Sequence, residues 1–95
     1  MRSQEVTVIN RSGLHARPAS LLVKTAGSFH SEVTLIKNGM RINAKSVIGV
    51  MGAGISKGTT ITVEVDGDDE EEAIKILIGM IEDGLGEDSF ERKIS

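Results

Sequence analysis

A histidine and an arginine lie two residues apart in a short loop that leads into a helical pattern. They belong to segment 12–19, which reads SGLHARPA. An imidazole nitrogen is a nucleophile, and a guanidinium presents a planar fork of donors to an oxyanion. The pair suits the acceptance and release of a phosphoryl group, a reaction that depends more on positioning and charge stabilisation than on acid–base groups.

The helix that follows this loop is predicted to begin close to the histidine. Pro18 fits the first turn, where its missing N–H group costs no intrahelical bond, and apolar residues continue at helical spacing as far as Gly27, which suits a left-handed cap. His15 is therefore placed at the helix N-terminus. The amides of the first turn bind anions, so Arg17 and Ala16 are predicted to stabilise phosphate, with Pro18 supporting the helix start.

A second segment of interest runs from Ser46 to Met51 and reads SVIGVM. Ser46 is a good N-cap for a short helix whose other side chains are apolar nearly all round. One short helix cannot bury every side, so part of it should remain exposed as an apolar docking patch. We assign Val47, Ile48 and Met51 to this patch.

The loop around His15 and the segment 43–51, NAKSVIGVM, together resemble the two signatures of the HPr family, the histidine phosphocarriers of the bacterial phosphoenolpyruvate:sugar phosphotransferase system. The resemblance covers about residues 2–86. It implies that His15 carries the phosphoryl group, that Arg17 steadies it, and that Ser46 is a regulatory phosphorylation site. The implied partners are phosphorylated enzyme I, sugar-specific IIA domains, an HPr serine kinase/phosphorylase and a catabolite-control transcription factor.

This interpretation describes a stoichiometric carrier in sugar transport and not an enzyme. One alternative within the family is a regulatory or nitrogen-branch relay that feeds no sugar permease, and the shared residues do not separate the two. Another alternative is a corepressor module that acts mainly through phospho-Ser46. The presence of His15, Arg17 and Pro18 together argues against it. A histidine-nucleophile phosphatase would need a carboxylic acid to protonate the leaving group, and the loop contains none.

The composition narrows the class of protein further. Ninety-five residues allow one domain, and a net charge of −3 with a pI near 5.3 argues against partners such as nucleic acid or an anionic membrane. The sequence shows no apolar run of transmembrane length and no signal-peptide pattern, so we expect a cytoplasmic protein. We also expect it to be a monomer. With no cysteine and only two histidines, fifteen residues apart, no metal or cofactor is expected.

The strands that must position these residues are predicted from alternating side chains. Runs of this type occupy 5–9, 32–35, 40–44 and 60–65, and Asn38-Gly39 is a strong signal for a tight hairpin. Each strand has one largely polar face. We therefore predict an α+β fold of order βαββαβα, a two-layer open-faced β-sandwich whose four-stranded antiparallel sheet is covered on one face by three helices. The HPr resemblance implies the same fold.

The third helix carries the clearest amphipathic pattern. Asp68 and Glu71 fit a capping box, and Gly84 is the expected C-terminal cap. The predicted buried stripe consists of Ile74, Leu77, Ile78 and Ile81. The HPr domain is accordingly placed at 1–86, and the polar tail 87–95 is expected to be disordered.

Overall fold

Four strands and three helices follow one another in the predicted order βαββαβα. The computed structural model describes residues 1–86, so the expectation for the tail 87–95 lies outside the described residues. The elements are β1 (Arg2–Thr7), α1 (Ala16–Gly27), β2 (Glu32–Lys37), β3 (Met40–Asn43), α2 (Val47–Gly52), β4 (Thr60–Asp66) and α3 (Glu70–Glu82). The predicted α+β open-faced sandwich is confirmed, although β1 begins earlier and ends earlier than the pattern indicated.

The sheet has the strand order β1-β4-β2-β3, and all of its pairs are antiparallel. Its centre is β4, where Ile61, Val63 and Val65 are buried while the residues between them point to the open face. Val63 pairs with Leu35 of β2, which is also fully buried. This apolar face packs against the helices and forms the core.

The hairpin between β2 and β3 has the predicted turn. Asn38 and Gly39 both have positive φ, at 50° and 81°. Two consecutive residues of this kind make a type I′ turn, whose twist matches that of the flanking strands. The turn sets the register in which Lys37 pairs with Met40.

The C-terminal ends of α1 and α3 are capped in different ways. The prediction that Gly27 adopts a left-handed cap is wrong, because Gly27 is the last residue of α1 and the C-cap, Ser28, has a right-handed conformation. The Ser28 hydroxyl donates to the carbonyl of Thr25 at 2.6 Å, so a polar side chain satisfies the helix end instead. In α3 the prediction is confirmed, because Gly84 has φ 85° and the Leu85 amide donates to the carbonyl of Met80 at 3.0 Å.

The capping box predicted at the start of α3 is wrong. The N-cap is Asp69 and not Asp68, and its carboxylate makes no cap bond. It accepts hydrogen bonds instead from the His30 amide at 2.8 Å, the Ser31 amide at 3.0 Å and the Ser31 hydroxyl at 2.5 Å. Because Ser31 is buried, its polar groups need a partner, and Asp69 supplies one by joining α3 to the start of β2.

The buried stripe of α3 is confirmed at Leu77, Ile78 and Ile81, whereas Ile74 is only half-buried. Ala73 is fully buried and packs on the sheet side of the same turn. Within residues 1–86, no helix is long and apolar enough to cross a membrane.

We expect Asp69→Asn to lower the melting temperature at pH 7. The hydrogen bonds from Ser31 and His30 lower the pKa of Asp69 to about 2 from its ordinary value of 3.8. A depressed carboxyl pKa stabilises the fold above the unfolded pKa, and this contribution disappears as the pH falls from about 4 to about 2. The difference between wild type and variant should therefore shrink over that range.

Thermal unfolding followed by far-ultraviolet circular dichroism measures this effect, since the chain has no Trp or Tyr. Asp68→Asn is the matched control, because Asp68 is exposed and forms no hydrogen bond or ion pair among residues 1–86. Equal melting temperatures for Asp69→Asn and Asp68→Asn at pH 7 would contradict the assigned role of Asp69.

Candidate phosphoryl-accepting site

His15 is the N-cap residue of α1, as predicted. Its backbone is extended, with φ −87° and ψ −170°, and its carbonyl accepts a hydrogen bond from the Ala19 amide at 2.8 Å. The imidazole makes no capping bond, and the residue is exposed. The side chain is therefore presented to an external partner while the backbone alone starts the helix.

The first turn of α1, which follows His15 directly, contains hydrogen-bond donors. Ala16 and Arg17 are the first two helical residues, so their amides have no intrahelical acceptor. Pro18 follows with no N–H group and with its ring buried, which anchors the turn to the core. The Arg17 side chain is exposed and has no hydrogen bond or ion pair within residues 1–86. An anion at His15 would therefore meet two amides, a guanidinium and the positive end of the helix.

The loop before His15 lies directly on the segment that follows α2. Gly13 has φ +62°, and a β-carbon at this position would lie 2.4 Å from the Ile55 carbonyl oxygen and 2.7 Å from the Ser56 α-carbon. The next amide, that of Leu14, donates to the same Ile55 carbonyl at 2.9 Å. Residue 13 must therefore be glycine for the backbones to approach so closely.

Further hydrogen bonds brace the same loop. The Asn10 side-chain amide donates to the Gly13 carbonyl at 2.6 Å, and the Gly13 amide donates to the Asn10 carbonyl at 3.1 Å. At the base of the loop, Val8 exchanges two backbone hydrogen bonds with Gly58 and Thr59, at 2.7 and 2.9 Å. The histidine is thus held by residues distant in sequence that the sequence analysis did not single out.

Lys37 is a further residue that sequence reasoning missed. Its ammonium donates to the carbonyls of Ala53 and Gly54, both at 3.0 Å, at the C-terminal end of α2. A cation is favourable at a helix C-terminus, and here it also fixes the start of the segment on which Gly13 rests. A single lysine at the end of a strand pattern offers no sequence signal for this role.

We expect Lys37→Met to destabilise the protein by about 1–2 kcal/mol, because two half-exposed, charge-assisted hydrogen bonds are lost while the aliphatic stem is kept. Hydrogen exchange of the Leu14 amide should also become faster, since its acceptor lies on the segment that Lys37 braces. Lys75→Met, an exposed α3 lysine with no hydrogen bond in the described part of the chain, is the control. Unchanged Leu14 exchange in Lys37→Met would contradict the brace.

Ser46 is the N-cap of α2, and its hydroxyl accepts a hydrogen bond from the Gly49 amide at 3.1 Å. The predicted split of the apolar helix is also observed. Ile48 is 85% exposed and Met51 37% exposed, whereas Val50 is fully buried. Val47 is half-buried, so the exposed part of the predicted docking patch is formed mainly by Ile48 and Met51.

The two candidate modification sites lie at the starts of two helices that pack against each other. His15 and Ser46 are the N-caps of α1 and α2, which contact each other. No group of His, Cys, Asp and Glu side chains within residues 1–86 could hold a metal ion.

An open-faced β-sandwich with an exposed histidine and arginine at the start of its first helix is the arrangement that the sequence analysis expected of a histidine phosphocarrier. A family model described as the PTS HPr component phosphorylation site matches residues 2–83. The chain therefore belongs to the HPr family, the phosphocarrier proteins of the phosphotransferase system.

Relatives of this family are similar over nearly their whole length. The phosphocarrier protein HPr of Cupriavidus necator is 42% identical over 87 residues, which cover 92% of this chain and 98% of the relative. HPr-C-His from Thermoanaerobacter tengcongensis, a crystal structure, has 45% identity and a TM-score of 0.89 over 92% of this chain and 98% of its own. The catabolite repression protein Crh of Bacillus subtilis has 42% identity and a TM-score of 0.71 over 87% and 95% of the two chains, in a domain-swapped dimer.

Proposed function

We propose that this protein relays a phosphoryl group on His15 from phosphorylated enzyme I to the IIA domains of sugar transporters in the cytoplasm. The observation that carries the proposal is the His15 side chain, which is exposed at the N-cap of α1 and takes no part in capping. Membership in the HPr family supports the same chemistry.

In the first transfer, an imidazole nitrogen of His15 attacks the phosphorus, and the bond from phosphorus to the donor breaks as the new P–N bond forms. The charge on the phosphoryl oxygens then faces the amides of Ala16 and Arg17 and the Arg17 guanidinium. A second transfer moves the group to the acceptor and restores the histidine. Each protein molecule thus carries one phosphoryl group at a time, so the protein acts as a stoichiometric carrier and not as a catalyst.

The expected strength of the phosphate contacts suits a carrier. A helix terminus contributes about 0.3–1 kcal/mol to anion binding, and a hydrogen bond to a charged group roughly 1.5–3 kcal/mol. An exposed site of this kind steadies the phosphoryl group without holding it too tightly for delivery.

The proposal is tested by mixing the purified protein with enzyme I and phosphoenolpyruvate and measuring its intact mass. One phosphoryl group should be added, and it should be lost in acid because P–N bonds hydrolyse there. Addition of a sugar-specific IIA domain should then remove the group at neutral pH. No gain in mass, or an adduct that survives acid, would contradict the proposal.

The transfer to a IIA domain also distinguishes the proposed sugar-transport carrier from the main alternative, a regulatory or nitrogen-branch relay that feeds no sugar permease. The similarity to Crh, a catabolite repression protein, favours testing it. A protein that accepts the phosphoryl group from enzyme I but delivers it to no sugar-specific IIA domain would support that alternative.

Sedimentation of the phosphorylated and free forms would test the expected monomer, since HPr from Thermoanaerobacter tengcongensis has also been solved as a dimer.

Regulation through Ser46 forms the second part of the proposal. An HPr serine kinase/phosphorylase would modify the hydroxyl at the N-terminus of α2, where the dipole favours added negative charge. The same charge would lie beside Ile48 and Met51, the apolar patch that we propose as the docking surface for enzyme I. In the phosphorylated form the protein would then bind a catabolite-control transcription factor.

We expect Ser46→Asp to slow phosphorylation of His15 by enzyme I, mainly through a higher KM, because the added charge must be desolvated on docking. The melting temperature should stay close to that of wild type, since Asp is also a good N-cap. Ser3→Asp, on β1, is the control for the added charge. Wild-type rates across all enzyme I concentrations would show that Ser46 is only a helix cap.

A further inference from the structure

The free edge of β1 lies alongside α3. In the strand order β1-β4-β2-β3, β1 pairs with β4 and with no other strand among residues 1–86, so one of its edges is open. Arg2 at the start of β1 forms an ion pair with Glu71 at the start of α3, and Thr7 at the end of β1 lines the same cleft as Glu82 at the end of α3. A strand of six residues and a helix of thirteen are both about 20 Å long, so α3 accompanies the edge over its whole length.

A groove with a volume of about 960 Å³ lies between this edge and α3. It is lined by Gln4 on the strand side and by Ile74, Ile78 and Gly79 on the helix side. A second cleft, of about 630 Å³, shares Glu82 with the first and continues it along β1. We call the two together the β1–α3 groove, which has an apolar floor beside an open strand edge.

Gly79 is a helical residue that packing within residues 1–86 does not require to be glycine. It lies within α3, has no positive φ, and a β-carbon at its position would meet nothing within 4 Å. A glycine inside a helix costs about 0.5–1 kcal/mol relative to alanine. Because Gly79 lines the groove, its missing side chain leaves room there for the side chain of a bound segment.

The charges along the groove favour a basic occupant. Glu5, Glu72 and Glu82 line it, and all three are exposed with no hydrogen bond or ion pair in the described part of the chain. The cations that line it within residues 1–86 are Lys75 and Arg2, and Arg2 is already paired with carboxylates of α3. A second copy of this chain is a poorer occupant, because two antiparallel β1 edges would bring the carboxylates of both grooves together.

We propose that the β1–α3 groove binds an extended basic segment of another protein, which adds to the free edge of β1 as a fifth strand. The backbone of this segment exchanges hydrogen bonds with the outward N–H and C=O groups of β1, and its side chains alternate between the two faces of the sheet. On the helix side, an apolar side chain lies over Ile78 and Gly79, flanked by lysine or arginine side chains against Glu72 and Glu82. On the open side, a further cation meets Glu5.

This interaction goes beyond the proposed phosphoryl transfer and is separate from it in space. His15 and Ser46 are the N-caps of α1 and α2, whereas the β1–α3 groove is formed mainly by β1 and α3 and includes no residue of α1 or α2. A basic partner can therefore hold the carrier while His15 stays open to its donor and acceptor.

The probe for this proposal is a synthetic peptide with blocked ends and the sequence Thr-Lys-Lys-Ile-Lys-Lys-Thr, which places Lys-Ile-Lys on one face of a strand in either direction. On titration, amide NMR shifts should change at residues 2–7 and 72–82 and stay constant at residues 15–24 and 46–52. A form of the peptide that is N-methylated at every residue keeps the charges but cannot donate backbone hydrogen bonds, so it should bind at least about tenfold more weakly.

Two pairs of variants test the lining of the groove. Gly79→Leu should weaken binding of the peptide by about tenfold or more without lowering the melting temperature, because leucine fills the groove and favours a helix. Gly27→Leu, at a glycine with equally open surroundings at the end of α1, is its control and should bind like wild type. Glu82→Gln should weaken binding about twofold to fivefold, as expected for one exposed ion pair, whereas Glu32→Gln removes an exposed carboxylate outside the groove and should have no effect.

Several results would overturn the proposal. These are shifts at residues 15–24 or 46–52 in place of the β1–α3 groove, equal binding of the N-methylated peptide, or wild-type binding by Gly79→Leu. Shifts at residues 2–7 that depend on protein concentration without peptide would assign the edge to a second copy instead. The rate of His15 phosphorylation should be the same with and without saturating peptide, and a lower rate would overturn the separation of the two sites. If wild type accepts no phosphoryl group, the proposed function fails while the shifts still decide the binding.

Discussion

His15→Ala is expected to abolish phosphoryl acceptance from enzyme I completely, because the variant has no nucleophile at the start of α1. The fold should be nearly unaffected, since His15 is exposed and its side chain makes no capping bond. Intact-mass measurement after incubation with enzyme I and phosphoenolpyruvate should show only unmodified protein. Circular dichroism should give a melting temperature close to that of wild type.

Two matched variants make this result specific. His30→Ala should be phosphorylated like wild type, because His30 lies in the turn before β2 and not at the start of α1. Arg17→Ala keeps the nucleophile but loses the guanidinium, so it should accept the group more slowly. A label that persists in His15→Ala would mean that another residue carries the phosphoryl group, and an unchanged rate in Arg17→Ala would exclude a role for Arg17.

Gly13→Ala is expected to have the largest effect on stability and to destabilise the protein by about 2–5 kcal/mol, from the combined cost of overpacking and backbone strain. The added β-carbon would lie 2.4 Å from the Ile55 carbonyl oxygen and 2.7 Å from the Ser56 α-carbon, which are backbone atoms that cannot rotate away. The positive φ of Gly13 adds strain of its own for any other residue. Relief of the clash would separate the His15 loop from its supporting segment, so phosphorylation of His15 should slow as well.

Gly27→Ala is the control for the loss of a glycine, since a β-carbon there meets nothing within 4 Å and the residue has no positive φ. It should leave stability unchanged or raise it by about 0.4–1 kcal/mol. Chemical denaturation followed by circular dichroism compares the two variants. Equal stability of Gly13→Ala and wild type would show that the two backbones separate at little cost.

The sequence alone was sufficient to predict the order of the elements, the inward residues of β4, the Asn38-Gly39 turn and the position of His15. These features depend on local patterns, such as alternation, helical spacing and the residues that favour caps and turns. The exposed histidine follows from the same local logic, because Pro18 places the start of α1 within a few residues.

Errors occurred where a local pattern competed with a distant partner. The predicted capping box at Asp68 is wrong because Asp69, and not Asp68, is the N-cap of α3. The Asp69 carboxylate accepts hydrogen bonds from Ser31, 38 residues away in the chain, instead of capping the helix. The left-handed cap at Gly27 failed because the Ser28 hydroxyl satisfies the helix end. A sequence pattern shows which groups need partners, but several partners can satisfy the same need.

The support of the candidate site was decided only by the tertiary structure. The strand order β1-β4-β2-β3, which the sequence analysis left to the family resemblance, brings the end of β2 to the loop after α2. Lys37 can then brace Ala53 and Gly54, and the Ile55 carbonyl can accept a hydrogen bond from the Leu14 amide of the His15 loop. These hydrogen bonds join residues 16 to 41 positions apart in the chain. No local sequence pattern predicts them, because the partners meet only when the segments are packed together.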